Sequence, residues 1–110
     1  MDYLYFLKNL GMNEKHNGTD YCAEFLFLIY DNVNIEPFTT KGYDLVGKRF
    51  NVTRSAVIKE MQYAIEFLFL KTTQTDLLYT IFGNTVSEES GRPSNKQFIY
   101  TLKDYFDFRI

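Results

Sequence analysis

The chain has 110 residues, enough for one domain with a real hydrophobic core and too few for several. Its 45% hydrophobic and 24% charged content is ordinary for a folded protein, and a net charge of −2 argues against a polyanion-coating protein that is basic all over. One Cys and one His leave no internal disulfide, and no credible zinc site or catalytic triad.

The N-terminal "MDYLYFLKNLG" has neither a basic leader nor a small-residue cleavage site, so a signal peptide is not expected. A helix is predicted from about Asp2 to Leu10, closed by Gly11. His16 falls in the polar stretch "NEKHNG", read as a loop. A second helix is predicted after Gly18, with Thr19 or Asp20 as its cap, ending near Asn32. Its apolar residues run nearly all round, as in a helix enclosed by others; it is too short for a membrane span, which needs roughly 20 residues. Cys22, inside that run, reads as a buried small hydrophobe.

"NIEPF" breaks the pattern. A third helix is predicted from near Thr40 to Phe50, a fourth from after Thr53 to Leu70, and a fifth from about Thr75 to Phe82, with Gly83 following. "NTVSEESGRPSN" reads as a loop with a possible short strand at Thr85–Ser87, and the "SEES" within it as solvated rather than metal-binding. Ser94 and Gln97 have capping-box spacing, so a sixth helix is predicted to start there and run to about Phe106. The expected fold is all-α, a six-helix bundle in a single domain. The 11 Phe and 9 Tyr, with no Trp, point to a bulky aromatic core.

The third and fourth helices have the parts of a helix-turn-helix. Gly47 is the small residue at the contact, Asn51 suits a left-handed turn, Val52 plugs the gap, and Thr53 caps the next helix. Leu45, Val46 and Phe50 are candidates for the apolar face of the first of the pair, and Val57, Met61, Ala64 and Leu68 form one inward stripe on the second. Thr53, Arg54, Ser55, Ala56, Ile58, Lys59, Gln62 and Tyr63 then face outward. Arg54 and Lys59 suit guanine or phosphate, Ser55 a phosphate, and Gln62 an adenine. Ile58 suits a thymine methyl, a protein contact or a plain surface position. Lys41, Lys48 and Arg49 fall where DNA-backbone contacts belong.

The charge is unevenly placed: residues 1–36 hold 2 basic and 6 acidic side chains, residues 37–71 hold 6 and 3, and residues 72–110 hold 4 and 5. The basic excess coincides with the motif, so a locally cationic face can meet phosphates although the total is negative. A purely structural helix pair accounts for the same spacing.

Several stretches resemble the C-terminal effector domain of the sporulation initiation response regulator, stage 0 sporulation protein A. They are "KGYDLVGKRFNVTRSAVIKEMQYAIE", "LLYTIFGNTVS" and "RPSNKQFI", with a looser likeness over "LKNLGMNEKHNGTDYCAEFLFLIYDN". The likeness covers nearly the whole chain in order. It implies a six-helix, cytoplasmic, non-enzymatic transcription regulator of endospore-forming bacteria. Such a regulator binds double-stranded DNA through its third and fourth helices, pairs on tandem sites, and touches an RNA polymerase sigma factor. It implies no cofactor. Family members usually follow a receiver domain; here the chain begins at the first helix, so a free-standing relative is expected. Along the recognition helix, Ser55 carries over directly and Lys59 conservatively. Ala56, Ile58, Gln62 and Tyr63 replace the family's charged or imidazole side chains, and Glu60 replaces a small one. The replacements leave a second expectation open, a helical interaction module that kept the scaffold and lost the DNA site.

Overall fold

The computed structural model describes residues 1–70, 75–83 and 91–109. The possible strand at Thr85–Ser87, the "SEES" loop and Lys71 lie outside them. Six α-helices occur in the described residues: α1 (Tyr3–Leu10), α2 (Asn17–Tyr30), α3 (Tyr43–Phe50), α4 (Arg54–Leu70), α5 (Asp76–Phe82) and α6 (Asn95–Arg109). Their order and type match the sequence expectation, and no strand is found among the described residues.

Local chemistry sets most boundaries. Asp2 caps α1 by accepting the Tyr5 N–H at 3.0 Å, and Gly11 closes the helix at φ 122°. Thr75 caps α5 by accepting the Leu78 N–H at 3.0 Å while its hydroxyl donates to the Leu10 carbonyl at 3.1 Å, which fixes the start of α5 against the end of α1. The capping box of α6 forms as its spacing predicts: Ser94 N–H donates to Gln97 Oε1 at 3.0 Å, and Gln97 N–H to Ser94 Oγ at 3.2 Å. This helix continues one turn past the expected end. Phe106 is buried there against Phe6, and Lys103 pairs with Asp107 one turn on, at 2.6 Å.

Three further boundaries differ from expectation. α2 starts at Asn17, ahead of Gly18, with His16 rather than Thr19 or Asp20 at the cap. Thr19 is instead fully buried, its hydroxyl donating to the Asn13 carbonyl at 2.7 Å. Gly18 does not break the helix; it is where α2 crosses α4. A Cβ there would lie 2.0 Å from the Glu60 carbonyl oxygen and 2.9 Å from Ala64 Cβ. α2 also ends at Tyr30, and Asn32 adopts the left-handed conformation (φ 61°) just beyond it. Finally, α3 is preceded by a π-helical turn, Phe38–Gly42, in which the Tyr43 N–H reaches back to the Phe38 carbonyl. Burial of Phe38, whose ring stacks on Phe25 with centroids 4.6 Å apart, anchors this turn two residues before the expected start.

The main pairing is α2 against α4, with α1, α3 and α6 around it. The expected aromatic core is present. Phe25, Phe38 and Tyr43 cluster at the start of α3, and Phe69, Phe82 and Phe98 at the opposite end of α4. Cys22 is fully buried within this core, and burial pushes its thiol well above the usual range, so it is an inert packing group. Among the described residues, no helix is long and apolar enough to cross a membrane.

Candidate nucleic-acid interface

The turn between α3 and α4 follows from four side chains. Asn51 takes the left-handed conformation (φ 58°, ψ 45°), which asparagine tolerates better than other non-glycine residues. The chain then doubles back so closely that a Cβ on Gly47 would sit 2.6 Å from the Val52 carbonyl oxygen, and the Val52 N–H donates to the Gly47 carbonyl at 2.8 Å. Val52 packs against the core, filling the angle between the helices. Thr53 Oγ1 accepts the Ala56 N–H at 3.1 Å and so caps α4.

On α4 the predicted inward stripe is buried: Val57, Met61, Ala64 and Leu68 are each no more than 1% exposed. Ile65 and Phe69 join them, so the apolar face is wider than one stripe. With that face anchored, Thr53, Arg54, Ser55, Lys59, Gln62 and Tyr63 are exposed, and Ala56 is half-buried at the edge. Lys41, Lys48 and Arg49 are also exposed.

Ile58 departs from its expected outward position. It is half-buried and packs against the core, because α6 crosses α4 at this point. The buried Asn95 at the start of α6 donates from Nδ2 to the Ile58 carbonyl and to the Tyr43 hydroxyl, each at 3.2 Å. One amide therefore ties both helices of the pair to the body of the molecule. Sequence reasoning found the adjoining capping box but not this residue, whose partners lie 37 and 52 positions away.

The cations divide into three groups. Among the described residues, Lys41, Lys48 and Lys59 form no ion pair. Arg49 turns toward α2: its guanidinium lies 5.3 Å from the Phe50 ring centroid and borders an open hollow of about 460 Å³ with Asp20 and Glu24. Arg54 is held by Asp44 of α3 in a two-pronged pair, Nε to Oδ1 at 2.8 Å and Nη2 to Oδ2 at 2.6 Å. Hydrogen bonds from the guanidinium hold the Asp44 carboxyl below its ordinary range and Arg54 above its own. Sequence reasoning counted Asp44 only as a charge. Its separation of ten residues from Arg54, across the turn, is not a helical spacing, so only the folded pair reveals the contact.

His16 lies in the expected loop, in a bend just before α2, and packs its ring edge-on against Tyr63 and Phe67 of α4, with centroids 4.8 and 4.9 Å apart. Tyr63 is thereby positioned from behind while remaining 54% exposed.

Beyond this geometry, one comparison bears on the chain: a family described as Sporulation initiation factor Spo0A C terminal matches it over residues 4–106.

Proposed function

The chain belongs to the Spo0A C-terminal family, and from that premise we propose that it is a sequence-specific DNA-binding transcription regulator that inserts the first half of α4 into the major groove. One observation carries the proposal. The inward face of α4 is locked in the core while Ser55, Lys59, Gln62 and Tyr63 stand in solvent along one rigid rod. Its width and exposed polar side chains suit the groove. In this reading Lys59 and Gln62 meet base edges, and Thr53 and Ser55 meet phosphates at the helix N-terminus. Lys41 and Lys48 contact the DNA backbone. Arg49 falls outside the backbone-contacting set because it turns toward α2, and Ile58 outside the base-reading set because it packs inward. Pairing on tandem sites and contact with a sigma factor belong to the same proposal, which involves no catalysis.

Random-site selection with the purified protein tests it. The expected result is enrichment of one sequence, bound with an affinity that falls as salt rises. Recovery of unselected sequence without salt-dependent binding would overturn it.

The alternative, a helical interaction module, is favoured by a different stretch of α4. Tyr63 and Leu70, 54% and 51% exposed, flank the half-buried Phe67 at helical spacing, an apolar stripe beyond the first turns. Light scattering with and without a duplex separates the two. Self-association that ignores DNA supports the module, and DNA-dependent assembly supports the regulator.

A further inference from the structure

We propose that Asp44 is a positioning residue that withholds Arg54 from DNA phosphates, and so sets how many cations the helix pair offers to a duplex. The inference rests on the DNA-binding reading above and goes beyond it by assigning an acidic residue of α3 a role in that reading.

Arg54 opens α4, where unsatisfied N–H groups give the helix end a partial positive charge. A second cation is disfavoured there, and an anion is favoured. A phosphate is the natural occupant of that end when DNA is bound, with Arg54 as its obvious partner. Asp44 already holds the Arg54 side chain that such a phosphate would use. It lies in the first turn of α3, three residues after Lys41 and four before Lys48, within the stretch of cations otherwise free of ion pairs. Its two carboxylate oxygens occupy one edge of the Arg54 guanidinium, Nε at 2.8 Å and Nη2 at 2.6 Å.

The pair is not explained as a stability device. Both side chains are open to solvent, 44% and 54% exposed, and exposed pairs contribute little. Its consequence is electrostatic. A phosphate approaching the start of α4 meets a neutral pair rather than a cation. To take Arg54 through its Nε/Nη2 edge it must displace a carboxylate already bound there in two-pronged geometry, and at the remaining edge it meets a guanidinium whose charge that carboxylate offsets. It would also leave that carboxylate unpaired beside a second anion.

The test is a salt titration of binding to a short random-sequence duplex by the wild type, D44N, R54Q and the double variant. Freeing Arg54 adds one phosphate contact, so D44N is expected to steepen the log–log salt slope by about 0.9. That amounts to an extra loss of about 3.5-fold in affinity between about 50 and about 200 mM salt. R54Q alone is expected to keep the wild-type slope, and the double variant to erase the gain. A merely structural Asp44 would change melting without changing slope. D44S repeats the charge removal with a different side chain, should D44N melt early. A wild-type slope in D44N and D44S overturns the inference. So does a flatter slope in R54Q, because Arg54 would then already be on a phosphate. In both cases the DNA-binding reading stands. Absence of duplex binding by all variants and the wild type overturns both.

Discussion

Gly18→Ala is expected to cost about 3 kcal/mol of stability, near the upper end of the usual range for overpacking. For a domain of this size that lowers the melting temperature by about 12–24 °C. A single methyl has this effect because of what it meets. The added Cβ would lie 2.0 Å from the Glu60 carbonyl oxygen, 2.5 Å from its carbonyl carbon and 2.9 Å from Ala64 Cβ. The first two are backbone of α4 and cannot turn aside as a side chain does. The helices must separate, and they form the main pairing of the fold. In an exposed helix interior the same change is ordinarily stabilising, since alanine is the better helix former. The sign of the effect therefore distinguishes a crossing point from a flexible helix start. Circular dichroism melting of G18A beside the exposed control Asn17→Ala checks it; equal melting of the two would contradict the crossing.

The second large effect is expected on binding. Replacing Lys41, Lys48 and Lys59 together by alanine removes three exposed cations that pair with no acidic side chain among the described residues. Lys41 and Lys48 each meet a phosphate in this reading, so the log–log salt slope becomes shallower by about 1.8, and loss of the Lys59 base contact adds to the fall in affinity. Affinity at about 0.1 M salt falls on the order of 10²-fold. All three side chains are exposed, so the fold should be spared, and melting within a few degrees of wild type is part of the expected result. Arg49→Ala is the internal comparison. Its guanidinium borders the hollow with Asp20 and Glu24, so its loss should leave the slope nearly unchanged. Binding was attributed to a local basic face despite the net charge of −2, and this contrast tests that attribution.

The helix-turn-helix was readable from sequence because each of its residues solves a local problem. Asn51 takes a left-handed backbone, Thr53 satisfies an orphan N–H, and Gly47 admits a neighbouring carbonyl; their order within seven positions leaves few other structures. The same local logic places the capping box of Ser94 and Gln97. It fails where one residue type serves two purposes. Glycine marks helix ends and also close crossings, so the sequence places α2 after Gly18 when that glycine lies inside it. Periodicity likewise placed Ile58 on the outer face, since nothing within α4 shows that α6 crosses there. The residue responsible, Asn95, lies 37 positions on. The Arg54–Asp44 pair and the packing of His16 on Tyr63 escaped for the same reason: each joins side chains of different helices whose approach is set by the tertiary fold. Periodicity and helix signals gave the six-helix architecture and the family likeness agrees with it, but the recognition helix is where the chain departs from that family's pattern. Its candidate contacts therefore come from exposure and chemistry rather than from correspondence.

The most direct measurement is a titration of isotope-labelled protein with a selected duplex, followed by amide chemical-shift mapping. DNA binding by the helix pair predicts that the largest shifts fall at Lys41, Lys48 and from Thr53 to Tyr63, with α1 and the exposed face of α2 nearly silent. Shifts centred on Asp20, Glu24 and Phe27, or none at salt-independent saturation, would contradict it.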